Sequence, residues 1–161
     1  MQILGQLPPR WKSNVSIKWM NIPCGQQNQV NLQDMNHKQA PQNVKDKRQL
    51  GQSGELMAAA YLCSLGMQIC RRNVTLSNGE IDLIAQQNRT FVFAEVRTIV
   101  ASEDFSPIDS IGTRKRKKVR QNVRDYLVLT GMPDNTDIRI DVIGVHFSKH
   151  EVRIEHYPNA I

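Results

Sequence analysis

The sequence predicts a mixed α/β (α+β) domain, with a mixed central β-sheet flanked by helices. Three observations carry this. Residues 48–66 and 113–131 combine good helix formers with helical apolar spacing. Between and after them lie short runs rich in Ile, Val and Phe, several alternating apolar with polar. The order is helix, three strands, helix, two strands, which suits a sheet covered by helices.

The elements follow in chain order. "RQLGQSGELMAAAYLCSLG" places Leu50, Met57, Tyr61 and Leu65 at helical spacing, with Gly66 as a stop. "MQICRRNVTL" is a strand, followed by a turn at Ser77-Asn78-Gly79. "EIDLIA" and "TFVFAEVRT" form two more strands joined through "QQNR". Alternation puts Ile81, Leu83 and Ala85 on one face and Glu80, Asp82 and Ile84 on the other. On the next strand Val92, Ala94 and Val96 share a face, opposite to Phe93, Glu95 and Arg97. A turn at Asn88-Arg89 sets Asp82 opposite Glu95 and Glu80 opposite Arg97. A turn at Gln87-Asn88 shifts these partners by two. "ASEDFSPIDSIG" is a loop, and the second helix takes Thr113 as N-cap and Gly131 as stop. Its inward stripe is Val119, Val123, Tyr126, Leu127 and Thr130. "DIRIDVIGVHF" and "EVRIEHYP" close the chain as a hairpin across Ser148-Lys149. No internal repeat is visible.

Residues 1–46 differ from the domain at 47–161. They are rich in Gln and Asn, poor in large apolar groups, and predict a disordered or loosely held tail. Trp11 and Trp19 stand out there, and Met35 is an alternative start of translation. No apolar run approaches the ~20 residues of a membrane span, and no signal peptide is expected. A cytoplasmic protein with no membrane partner is therefore expected. Cys24, Cys63 and Cys70 show no CxxC spacing, which argues against zinc and disulfides. Cys63 and Cys70 are expected to be small buried hydrophobes. The net charge of +6 points to a polyanionic partner, most often nucleic acid.

Three carboxylates, Glu80, Asp82 and Glu95, stand in strand-forming sequence where apolar residues would pack better. Acids on a sheet surface are costly unless paired or bound to a cation. A divalent ion relieves their repulsion, and Mg²⁺ takes oxygen ligands. Arg97, two residues after Glu95, adds a cation on the same face, suited to holding a phosphate. The competing arrangement is cross-strand salt bridging, Glu80 with Arg97 and Asp82 with another base.

"TRKRKKVRQNVR" sets Arg114, Lys115, Arg116, Lys117, Lys118, Arg120 and Arg124 at the start of the second helix. Bases there oppose the helix dipole, so another demand must be met. Most are expected to face solvent and to track phosphates without reading bases. A solvated helix face is the plainer alternative. His146, His150 and His156 are expected to be ordinary surface histidines. Asp141, an acid between apolar strand residues, is expected to be structural.

"GQSGELMAAAYL", "RRN", "GEIDLIA", "VFAEVR" and "RIDVIGV" follow in the order and spacing of the YraN-like family, uncharacterised protein family 0102. The chain resembles that family from about Arg48 to Val145. The family in turn is similar to Holliday junction resolvases and other PD-(D/E)XK proteins of restriction-endonuclease-like fold. The resemblance implies a nuclease site in which Asp82 and Glu95 are the motif acids, Arg97 the cation and Glu55 the acid on the first helix. It implies Mg²⁺ or Mn²⁺ held by Asp82, Glu95 and the Val96 carbonyl, with Glu55 directly or through water. Glu80 is either a further ligand or the anchor of Arg97, and the anchor is favoured. The family pattern also implies that Asp141 is a buried partner of Arg139 or of a helix terminus. Junction-resolving relatives act as two-fold dimers, so a homodimer is compatible.

Three departures bear on catalysis. The superfamily usually carries Lys where Arg97 stands, and Arg cannot act as a base. Ile99 and Thr75 stand where many family members carry a second cation. Two readings follow. One is a Mg²⁺-dependent nuclease acting on structured or branched nucleic acid, DNA rather than RNA. The other is a catalytically impaired nuclease fold that binds nucleic acid. A third, a protein-interaction domain using the Gln/Asn-rich tail, rests on composition alone.

Overall fold

The computed structural model describes residues 47–100, 106–148 and 151–161. The tail at 1–46, with Trp11, Trp19, Cys24 and Met35, lies outside the described residues, as do Lys149 and His150. The elements are α1 (Lys47–Ser64), β1 (Gln68–Leu76), β2 (Gly79–Gln87), β3 (Thr90–Val100), α2 (Thr113–Thr130), β4 (Ile138–Phe147) and β5 (Val152–Tyr157). The sheet order is β1-β2-β3-β4-β5; β3 and β4 run parallel and every other neighbouring pair is antiparallel. The mixed sheet and flanking helices are as expected. No helix among the described residues is long and apolar enough to cross a membrane.

The helices cover opposite faces of the sheet. On one, Ala58, Ala59 and Leu62 of α1 pack on Leu83, Ala85, Val92, Ala94, Ile143, Val145 and Phe147. On the other, Val119 and Val123 of α2 pack on Cys70, Ile81, Ile84, Phe93 and Ile140. Burial of both faces explains the near-continuous apolar runs of the central strands. Cys70 is a buried hydrophobe in the second cluster and the extra residue where the β1–β2 register shifts. Cys63 is partly buried, and burial pushes its thiol up to about 11.

Gly54 sets how closely α1 lies on the sheet. A Cβ there would run into the Thr98 side chain on β3. The missing methyl lets the helix backbone approach the strand and brings Glu55 over the sheet. Gly144 does the same for the loop before α2, because a Cβ on it would strike the fully buried Pro107.

Several local expectations change. Thr113 is the first helical residue, not the cap; Gly112 caps α2 without a side-chain bond. Gly131 does end α2, left-handed, with its N–H on Leu127 and Val128 carbonyls. Leu65 and Thr130 are exposed, since Leu65 lies just past the end of α1 and Thr130 is the last residue of α2. The last hairpin pairs Phe147 with Val152, closing between Ser148 and Glu151 rather than across Ser148-Lys149. Ile81 packs on the α2 side with Ile84, not with Leu83 and Ala85. Strand alternation breaks at Asp82, which the β1–β2 register sets opposite Asn73, a left-handed residue with φ 51.

His156 is a core residue rather than a surface one. It shares a 2.8 Å hydrogen bond with Asp141 Oδ2 and meets the Tyr61 ring edge-on at 5.7 Å. Asp141, 0% exposed, also accepts from Arg139 Nε at 3.1 Å and the Asn159 N–H at 2.9 Å. Its structural role and its pairing with Arg139 are as expected. His146 is largely buried too, 3.5 Å from Glu155.

Two α1 glycines give a contrasting prediction. Gly54→Ala should destabilise by about 1–3 kcal/mol, because the methyl overpacks against Thr98. Gly51→Ala meets nothing within 4 Å and should stabilise by about 0.5–1 kcal/mol. Urea unfolding of the two variants checks both signs.

Candidate active site

The site is built where the sheet forks. β2 and β3 pair from Gln87/Thr90 to Leu83/Ala94, which is the register of the Asn88-Arg89 turn. Beyond that point β2 continues with β1 alone, while β3 continues with β4 as far as Val100/Phe147. One more step of the β2–β3 register is Asp82 and Glu95. The strands part there, and the first N–H freed by the parting is that of Val96. It donates to Asp82 Oδ2 at 2.7 Å. A part-buried backbone donor is thus satisfied by a side chain where its ladder ends.

Both acids are buried, and Glu95 is only 4% exposed. Lys115 Nζ of α2 lies 2.8 Å from Glu95 Oε1. Burial first, and then the neighbouring Glu95 charge, push the Asp82 carboxyl up to about 7; the Val96 N–H and Lys115 pull the other way. Glu55 adds to that upward push from α1. Its own carboxyl is raised by burial, against a hydrogen bond from Asn73 and the charge of Arg72. Glu55 Oε2 is buried with no hydrogen-bond partner. Glu55, Asp82, Glu95 and Lys115 therefore interact across one fork, from four different elements.

Arg97 and Glu80 lie otherwise than expected. Arg97 donates from Nε to Ser110 Oγ at 3.2 Å, and Ser110 donates to the Pro107 carbonyl at 2.6 Å. Its Nη1 is 4.0 Å from Glu95, a far looser contact than that of Lys115. Glu80 is exposed, and its charge acts on Glu55. No ion pair joins it to Arg97 among the described residues. The strands have already parted, so the cross-strand bridge has no geometry. The Glu80 carbonyl accepts from Asn122 Nδ2 at 3.0 Å, which ties α2 to the start of β2.

The basic helix divides in two. Arg114, Lys117, Lys118, Arg120 and Arg124 are exposed. Arg116 instead clamps three carbonyls: Ile111 at 2.9 Å, Ala160 at 2.6 Å and Ile108 at 3.1 Å. It fastens the C-terminus and the preceding loop to α2. Lys115 turns inward to Glu95. A pattern in the sequence marks it: Lys115, Val119 and Val123 repeat every four residues, so Lys115 extends the buried stripe. Ser110, Asn73 and Asn122 carry no comparable sequence signal.

The donor set at the fork is all oxygen, with excess negative charge and one unpartnered buried carboxylate oxygen on Glu55. That chemistry fits a hard divalent cation. As arranged, no three His, Cys, Asp or Glu side chains among the described residues are grouped closely enough to hold a metal. Lys115 stands beside Glu95 as the cation of the site.

The raised carboxyl of Asp82 has a pH signature. Between its usual value near 3.8 and about 7, the folded protein holds a proton that the unfolded chain has lost. Stability from this group therefore falls as pH rises through that window. Asp82→Asn in the presence of a chelator should raise the melting temperature more at pH 8 than at pH 5. An equal gain at both, read by thermal unfolding, would contradict the assignment.

The comparisons with known proteins agree with one another. The profile of the Uncharacterised protein family UPF0102 matches residues 54–145, which span the fork acids, β3, α2 and most of β4. A UPF0102 protein of Clostridioides difficile strain 630 is 38% identical over 118 residues, covering 73% of this chain and 98% of the relative. One of Chlorobium chlorochromatii strain CaD3 is 37% identical over 110 residues, covering 68% and 84%. One of Anaeromyxobacter dehalogenans strain 2CP-C is 36% identical over 116 residues, covering 71% and 86%. With that coverage, the chain belongs to the UPF0102 family.

Proposed function

We propose that the fork is the active site of a Mg²⁺- or Mn²⁺-dependent nuclease that hydrolyses phosphodiester bonds of structured or branched nucleic acid, DNA rather than RNA. The observation that carries this reading is the pair of buried acids, Asp82 and Glu95, at the parting of two strands and under a helix with an exposed row of bases. Isolated buried acids are destabilising, and a cation bound between them removes the penalty. Asp82, Glu95 and the Val96 carbonyl would hold the metal, with Glu55 directly or through water. The bound ion would supply Lewis-acid polarisation of the phosphodiester. Arg97, anchored by Ser110 and 38% exposed, offers its remaining guanidinium donors to a phosphate at the rim. Arg114, Lys117, Lys118, Arg120 and Arg124 hold the flanking backbone electrostatically. Work on nucleic acid in this way belongs in the cytoplasm, and a two-branched substrate would engage two copies of the chain.

A second reading has its own support. Lys115 already neutralises Glu95, and Arg97 cannot serve as a base. Both features suit a nuclease fold that binds nucleic acid without cutting it.

The deciding experiment is cleavage of branched and single-stranded DNA with Mn²⁺ or Mg²⁺, beside calorimetric titration of each metal. Metal binding and cleavage by the parent, both lost in Asp82→Ala/Glu95→Ala, are expected. DNA binding that survives without metal binding or cleavage would replace the nuclease by the binding module.

Salt dependence tests the basic helix. With five exposed bases in contact, log affinity for duplex DNA should fall with log salt at a slope of about −4 to −5. Lys117→Ala or Arg120→Ala should each make the slope shallower by about 1. Arg116→Ala should leave the slope unchanged and lower the melting temperature, because it breaks the carbonyl clamp.

A further inference from the structure

We infer that Lys115 is the substrate-phosphate cation of the fork, held in reserve by Glu95, in the place that Arg97 leaves open. The inference rests on the reading of the fork as a nucleic-acid site and names which residue meets the phosphate there.

Four observations point to it. Lys115 Nζ is 2.8 Å from Glu95, whereas the Arg97 guanidinium is 4.0 Å away and turned to Ser110. Lys115 also acts on Asp82, so its charge is felt by both buried acids. Its neighbour Arg116 is spent on three carbonyls, while the Lys115 side chain remains 39% exposed. It is therefore the one group among the described residues shared by the acid pair and the exposed basic row of α2. Finally, Lys115 sits in the first turn of α2, where a cation opposes the helix dipole and needs an acid or anion to offset it.

A lysine suits this role better than Arg97 for a physical reason. Its ammonium is a compact charge on a flexible stem, free to move between a carboxylate and a phosphate oxygen a few ångströms away. The Arg97 guanidinium is fixed at one edge by Ser110. At rest Glu95 holds the ammonium inside the fork. A phosphate drawn along Arg114, Lys117 and Lys118 competes for it and turns it outward. No bond is made or broken in this exchange.

The test is a double-mutant cycle on binding of a short single-stranded DNA to the full-length protein, in chelator and at low salt. It reads neither metal nor cleavage. Glu95→Gln frees the ammonium and should tighten binding by about fivefold, the weight of one released charge contact. Removing the Glu95 charge also relieves repulsion, so the same change is made on Lys115→Met, where that relief alone remains. Most of the gain should vanish there and persist on the control Lys117→Met. A gain of equal size with and without Lys115 overturns the inference and leaves the nucleic-acid reading standing. No gain from Glu95→Gln in a protein that binds DNA also overturns it. A protein that binds no DNA even at low salt overturns both. Melting temperatures of the variants separate loss of the phosphate contact from loss of fold.

Discussion

The hydrogen bond from the Val96 N–H to Asp82 is the constraint on which the rest of the site depends. Two strands cannot part inside a protein without stranding backbone donors that their ladder used to satisfy. Here β2 turns away to follow β1 and β3 continues along β4, so the Val96 N–H loses the partner that β2 would have supplied. A carboxylate at Asp82 takes it at 2.7 Å. The bond lets the two strands part without leaving that N–H unpaired. It also fixes the orientation of one of the two buried acids at the fork.

The fork creates an electrostatic problem that shapes the surrounding elements. Two carboxylates are buried beside each other, and a third on α1 adds to their repulsion. Gly54 brings that third acid close by letting α1 settle on Thr98. The structure answers with Lys115 on the opposite helix, held by an ion pair to Glu95. α2 is in turn positioned by Asn122 on the Glu80 carbonyl and by the Arg116 clamp on the loop and the C-terminus. The basic helix is thus not a uniform charged surface. Two of its cations build the site, and the rest face solvent.

A different acid holds the far part of the sheet. Asp141 is fully buried, and its two oxygens collect Arg139, His156 and the Asn159 N–H. This satisfied carboxylate joins β4 to β5 and the C-terminal segment, and His156 carries the connection on to Tyr61 of α1. Asp141 and Asp82 differ in what surrounds them. One is met in the core by a base and by further hydrogen-bond donors. The other has acids for neighbours, and its carboxyl is pushed up to about 7.

The elements and their order, and the proximity of Asp82 and Glu95 on neighbouring strands, were legible in the sequence, whereas the choice between the Asn88-Arg89 and Gln87-Asn88 turns was made by the β2–β3 register. The legible features follow from local periodicity and turn chemistry, although the alternation of faces does not hold through Asp82. The structural role of Asp141 was legible too, since a lone acid in an apolar strand must find a base or donors to stay in the core. The tertiary structure alone decided how the charges pair. Glu80 and Arg97 were separated because the strands part before reaching them, and strand spacing carries no information about where a ladder stops. His156 became a core residue because β5 lies against β4 with its ring turned towards Asp141 and Tyr61. Lys115 joined the acids because α2 crosses the sheet over the fork, bringing together residues 20 and 33 positions apart in the chain, Glu95 and Asp82 to Lys115. Such contacts depend on how a helix docks on the sheet, which side-chain packing decides and no local pattern encodes.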